Sequence, residues 1–189
     1  QAYLRYLDIQ LGPFSEIIDM VFGATNNAFA FSCRIANEFY IYHNDRLIAN
    51  SNTVPAIFYY PMQNDFAYLT EREGQMEFSS NGIALQFDDV VDLSLGESAD
   101  RTVILARRMK TNIIFRFPET RVIADPEPLG CATTPDGTLY AWWGRNAQSD
   151  YLETSSGTKL KTDELLSIRG STDGASLISY LYDDHHIKR

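Results

Sequence analysis

Cysteine and histidine are scarce in this chain. Only Cys33 and Cys131 and three histidines occur in 189 residues. Neither cysteine has C-x-x-C spacing or a third partner, which argues against zinc and thioredoxin chemistry. His43, His185 and His186 are the only imidazoles, and no G-x-S-x-G elbow is present, so nucleophilic catalysis has little to work with. The glycines form neither G-x-G-x-x-G nor a Walker pattern, leaving a nucleotide site without support. Long apolar runs are missing too. The uncharged stretch from Met20 to Cys33 holds Thr25, Asn26, Asn27 and Ser32 and is too short and polar to span a bilayer as a helix. Positive charge is in deficit: the net charge is −9, which argues against nucleic acid as a partner. None of the ten asparagines opens an N-x-Ser/Thr sequon, which disfavours a glycosylated secreted protein.

What is present reads as one globular domain over residues 1–189, with 44% hydrophobic and 22% charged residues. The first 22 residues read as helical in two pieces. Ala2–Leu11 places Leu4, Leu7 and Leu11 on one helical face; Gly12-Pro13 breaks it; Phe14–Phe22 resumes with Ile17, Ile18 and Val21. Residues 25–42 are ambiguous, because Thr25 is of the type that caps a helix while Phe39-Tyr40-Ile41-Tyr42 has strand composition. From residue 39 to 182 the chain is β-rich. His43-Asn44-Asp45 and Asn81-Gly82 read as hairpin turns, and Pro135-Asp136-Gly137 as a turn. Ile83–Leu95 alternates as one strand, with Asp89 on its apolar face marking a bulge or a partnered carboxylate. The fold expected is mainly β (α+β): an N-terminal helical segment followed by an antiparallel β-sandwich, or a sheet packed on that helix. No internal repeat is legible.

Charge is unevenly spread. Asp65 to Asp100 carries nine acids against Arg72, and Arg101 to Arg121 carries six bases against Glu119. Two arrangements fit: neighbouring strands whose charges face across a sheet, or patches that meet between subunits. Acidic residues are abundant, but nothing singles out a pair for glycoside hydrolysis. Asp88, Asp89 and Asp92 lack calcium-loop spacing, and adjacent residues in Asp183-Asp184-His185-His186 point to opposite faces of an extended chain. No metal and no cofactor is expected.

Aromatics, at 13% of the chain, are the least ordinary feature. In a strand, Tyr140 and Trp142 share one face and Trp143 takes the other, which offers a core, an interface or a platform for sugar rings. The cysteine pair and the absence of an initiator Met at Gln1 predict a Cys33–Cys131 disulfide, formed after removal of an export signal, and an extracytoplasmic or secreted location. Two buried free thiols are the other reading. Together these features predict a non-enzymatic structural or assembly subunit, pilus-, capsid- or tail-like, whose partners are other protein subunits or further copies of itself. A carbohydrate- or peptide-binding module using Tyr140, Trp142 and Trp143 is the alternative, and a carboxylate-based hydrolase the third reading.

Overall fold

The computed structural model describes residues 1–25, 28–80, 82–123, 127–146, 149–162, 165–171, 173–183 and 186–188, with side chains to 161 and over 168–171 and 173–179. Asn81 and the pair Asp184-His185 lie outside the described residues. The remaining side chains of the Asp183–His186 cluster do too.

The chain is built from antiparallel meanders. A hairpin of β1 (Ala2–Tyr6) and β2 (Ile9–Phe14) comes first. A four-stranded sheet follows, of β3 (Glu16–Phe22), β4 (Phe29–Ile35), β5 (Glu38–His43) and β6 (Arg46–Ser51) in that spatial order. The next consists of β7 (Ala56–Tyr60), β8 (Asp65–Arg72), β9 (Gln75–Ser80) and β10 (Ile83–Phe87). Then come β11 (Asp89–Ser94), β12 (Val103–Arg108), β13 (Thr111–Arg116) and β14 (Glu119–Ile123). A further sheet holds β15 (Glu127–Thr133), β16 (Tyr140–Asn146), β17 (Ser149–Thr154) and β18 (Lys159–Thr162). The last has β19 (Leu165–Gly170), β20 (Leu177–Asp183) and β21 (His186–Lys188). First strands begin at Glu16, Ala56, Asp89, Glu127 and Leu165, 33 to 40 residues apart. Serial four-stranded meanders at this spacing are the repeating unit of β-propellers.

The expected N-terminal helix is not formed, and no sandwich packs on one. The only helical element among the described residues is a 3-10 turn at Ala99–Arg101. The helical spacing had two sources. Leu7, expected on the apolar face, sits at the β1–β2 turn with φ 52° and is 75% exposed. In β3 the register shifts between Ile17 and Asp19. That bulge adds one residue to a two-residue period and so imitates the spacing of a helix. A second correction concerns Ile83–Leu95. The chain leaves one sheet at Phe87 and enters the next at Asp89, so the two halves belong to different sheets. Asp88 makes the corner: its N–H donates to the Arg107 carbonyl (2.8 Å), and its carboxylate accepts from the Lys110 N–H (3.1 Å).

The chain divides into two compact units, Gln1–Gln86 and Phe87–Arg189. In the first, β4 is buried on both faces. Phe29, Phe31 and Cys33 pack with Leu4 and Phe14, while Ala30 packs with Ile41 of its own sheet and with Ile57, Phe66 and Tyr68 of the following one. Phe31 stacks on its cross-strand partner Tyr42, with centroids 5.0 Å apart. Burying each such ring contributes about 1.5–3 kcal/mol. In the second unit, Val103, Leu105, Ile114 and Ile123 pack against Cys131 and Trp142, and Ala132, Ala141 and Leu152 pack against Ile168. Within each unit the first strands of successive sheets touch: β3 with β7, then β11 with β15 and β15 with β19.

Candidate interaction site

Strand β8 carries the site. Its alternation turns Phe66, Tyr68, Thr70 and Arg72 to one face. Phe66 and Tyr68 lie in the core shared with Ala30 and Ile41, Thr70 is buried, and Arg72 reaches solvent. The hairpin register sets Glu77 opposite Thr70 and Gln75 opposite Arg72. Gln86 of β10 joins them, its Nε2 donating to Glu77 Oε2 at 3.3 Å. The face thus begins apolar and buried and ends polar at the β8–β9 turn, where Glu73 and Gly74 both have positive φ.

The end of β6 is clamped to this strand. Ser51 Oγ accepts from the Glu71 N–H (2.9 Å) and donates to the Glu71 carbonyl (3.2 Å), which also accepts from the Asn52 N–H (2.7 Å). Beyond the clamp two hollows open. One of about 210 Å³ is lined by Arg72, Glu73, Gln75, Glu77 and Gln86. The other, of about 190 Å³, is lined by Ile48, Ala49, Asn50, Thr70, Arg72 and Glu77. Arg72 and Glu77 wall both. Among the described residues Arg72 forms no ion pair, and β6 has a sheet neighbour, β5, on one side only. The site is a polar trough with two carboxylates, one guanidinium and three amides, open along an edge strand.

The residues expected to form a site lie elsewhere. Trp142 is buried in the Val103–Leu105–Ile114 core, and its Nε1–H has no acceptor among the described residues. Tyr140 is half-buried at the rim of that core, with the Arg116 guanidinium carbon 6.0 Å from its ring centroid. Trp143 lies on the opposite face of β16, half-buried against Ala132, Ala141, Leu152 and Ile168. The three rings do not converge on one surface.

Cys33 and Cys131 are free thiols, so the expected disulfide is absent. Each is buried among its own neighbours, Cys33 with Phe29 and Phe31, Cys131 with Val103 and Trp142. Burial pushes the Cys33 thiol up to about 11 and raises Cys131 as well, where the Asp92 carboxylate adds to the effect. That carboxylate also accepts from the Cys131 N–H at 2.8 Å.

The two charged segments meet only in part. Asp89 stands opposite Arg107 across the β11–β12 ladder, whereas the acids of β8 and β9 lie in another sheet. Arg121 instead pairs with Glu153, and Arg145 holds the buried Asp150 through two bonds of 2.6 and 3.0 Å. No cluster of three or more metal-ligating side chains occurs among the described residues. No helix among them is long and apolar enough to cross a membrane.

No protein-family model matches the sequence, and no curated protein is significantly similar to it. Solved structures do share the fold. A eukaryotic initiation factor structure superposes with a TM-score of 0.56 at 15% identity, over 88% of this chain and 49% of that one. Kuenenia stuttgartiensis hydrazine synthase gives a TM-score of 0.50 at 8% identity, over 95% and 59%. The β-propeller domain of Myceliophteria thermophila Cps50 (Swd1) gives 0.46 at 9% identity, over 89% and 66%, a score too low to carry weight. The chain spans about half to three-fifths of the length of the first two. At these identities the likeness is one of fold, in which small antiparallel sheets follow one another along the chain.

Proposed function

We propose that this chain is a protein-interaction module: a non-enzymatic unit of propeller-type sheets that docks onto another protein through the trough beside β6. The observation that carries the reading is the junction of a free edge strand with a polar hollow on one surface of the first unit. Edge strands offer unpaired main-chain donors and acceptors, and a hollow beside one adds side-chain selection. Glu73, Glu77 and Arg72 act here as recognition groups. A pilus-, capsid- or tail-like assembly is one setting for such a module; none of the likenesses above bears on it.

A photo-crosslinking residue placed at Gln75 tests this reading against the same residue at the exposed Thr158 of the second unit. Irradiation in a lysate of the source organism is expected to give an adduct of discrete mass at Gln75 and none at Thr158. Equal yields at the two positions, or none at either, would count against it.

A further inference from the structure

The trough has a shape and a charge that select one kind of occupant. Strand β6 is paired with β5 alone, and it carries Leu47 and Ile48, 53% and 43% exposed. The β5–β6 register shifts between Ala49 and Leu47, leaving Ile48 as an extra residue. Of the devices that blunt such edges, β6 has Arg46 at its start and the bulge at Ile48, but neither charge nor proline along Leu47–Asn50. Ile48, Ala49 and Asn50 also form one wall of the smaller hollow, so a strand laid along β6 would pass directly over it. Each hollow falls below the roughly 300 Å³ at which drug-sized ligand pockets begin, so it suits one side chain. Glu77 and Arg72 wall both hollows, Glu73 adds a second carboxylate in the larger one alone, and residues 1–86 carry nine acids against four bases. The Gln86 amide donates to Glu77 and so leaves its own oxygen free to accept.

We infer that an extended peptide of a partner protein adds to the free edge of β6 as a further strand, and that it reaches past the smaller hollow with a lysine or arginine side chain into the larger one, walled by Glu73 and Glu77. Main-chain bonds along Leu47–Asn50 supply affinity, and the carboxylates supply the preference for a cation. Arg72, at the mouth, disfavours a second cation beside the first. This rests on the interaction-module reading above and names the partner's chemistry.

Immobilised ten-residue peptides of Thr and Val, with Arg, Lys, Gln or Glu at one central position, test it on the full chain. Arg and Lys peptides are expected to bind, the Gln peptide about tenfold more weakly, and the Glu peptide not at all. Glu77→Gln is expected to lower Arg-peptide affinity about tenfold and leave the Gln peptide unchanged. Ile48→Pro is expected to abolish binding of every peptide. Because that change can disturb folding, Leu47→Lys, which blunts the edge by charge, is expected to weaken all peptides with an unchanged melting temperature. Equal capture of Arg, Gln and Glu peptides, capture of none, or indifference to Glu77→Gln would overturn the inference. So would light scattering that shows two copies paired through β6 and separated by Leu47→Lys. An adduct at Gln75 without any preference for Arg would overturn the peptide inference alone. Loss of that adduct would remove the interaction reading with it.

Discussion

Gly130 and Trp143 face each other across the β15–β16 ladder, and the indole lies over the glycine: a Cβ built on Gly130 would sit 2.2 Å from Trp143 Cζ2. The glycine is there for space, because its φ lies outside the left-handed region. This contact fixes one of the aromatic residues that stand out in the sequence. Trp143 covers its neighbour's backbone and packs on Ala132 and Leu152.

Gly130→Ala is therefore expected to destabilise the protein by about 1–3 kcal/mol through overpacking. In a Trp143→Ala background the same change is expected to cost under about 0.5 kcal/mol, since the clashing ring is gone. Urea denaturation of the four-member cycle measures both. Equal costs in the two backgrounds would show that the ring does not occupy this place.

The thiols give a second expectation, in which sign matters. Cys33 is raised from 9.0 to about 11, and Cys131 is raised too, both mainly by burial. The unfolded chain releases these protons first, so the stability they contribute is intact below about pH 9 and lost as pH climbs toward 11. Denaturation midpoints at pH 8 and 10.5 are expected to differ by less in Cys131→Ala than in the parent chain. Both cysteines are also expected to alkylate in the denatured, unreduced protein and to resist alkylation when folded. A single intact mass unchanged by alkylation after denaturation would restore the disulfide. With both thiols free, the cysteine pair gives no support to the expected extracytoplasmic location.

Met109 and Lys110 form the two-residue turn between β12 and β13, both with positive φ (50° and 62°). Turns of this kind favour Asn-Gly. Replacing the pair by Asn-Gly is expected to raise stability by about 1 kcal/mol. The Lys110 N–H that donates to Asp88 is retained in that variant. A thermal melt decides it, and a lower melting temperature would contradict the turn geometry.

Asp136 ties the Pro135–Thr138 turn together. Its carboxylate accepts from the Thr134 hydroxyl (2.7 Å) and from the Thr138 N–H (3.0 Å) and hydroxyl (2.9 Å), which hold it below the usual carboxylate range. A lowered folded value means that the stabilisation is present above the ordinary carboxylate range and fades as pH falls. Carbon-detected NMR titration is expected to find Asp136 among the last carboxylates to protonate, with the Thr138 amide signal moving in step. A midpoint within or above the ordinary carboxylate range would contradict it.

Some of this was legible in the sequence. The His43–Arg46 hairpin forms with Asn44 at φ 53°, and Asn44 also clasps Phe29: its N–H donates to the Phe29 carbonyl and its Oδ1 accepts from the Phe29 N–H. The Pro135-Asp136-Gly137 turn and the opposite orientations of Trp142 and Trp143 were readable from turn chemistry and strand period. The repeat was not. The second strands of the four-stranded sheets read FAFSCRI, DFAYLTER, VILARR and YAWWGRN, which share apolar bulk but no motif. What recurs is the meander, which different residues satisfy equally well. Strands such as β4 are buried on both faces and lose the alternation that marks a half-buried strand. The trough stayed hidden for another reason. Its walls come from β6, β8, β9 and β10, and no short run of sequence announces that Ile48 and Glu77 share a hollow.

Hydrogen exchange of the β6 amides tests the interaction site most directly. With the central-Arg peptide in excess, Leu47 to Asn50 are expected to gain protection, while the edge strand β14, Glu119–Ile123, exchanges at its unliganded rate. Unchanged exchange along β6, or equal protection at β14, would contradict a docking site beside Glu77.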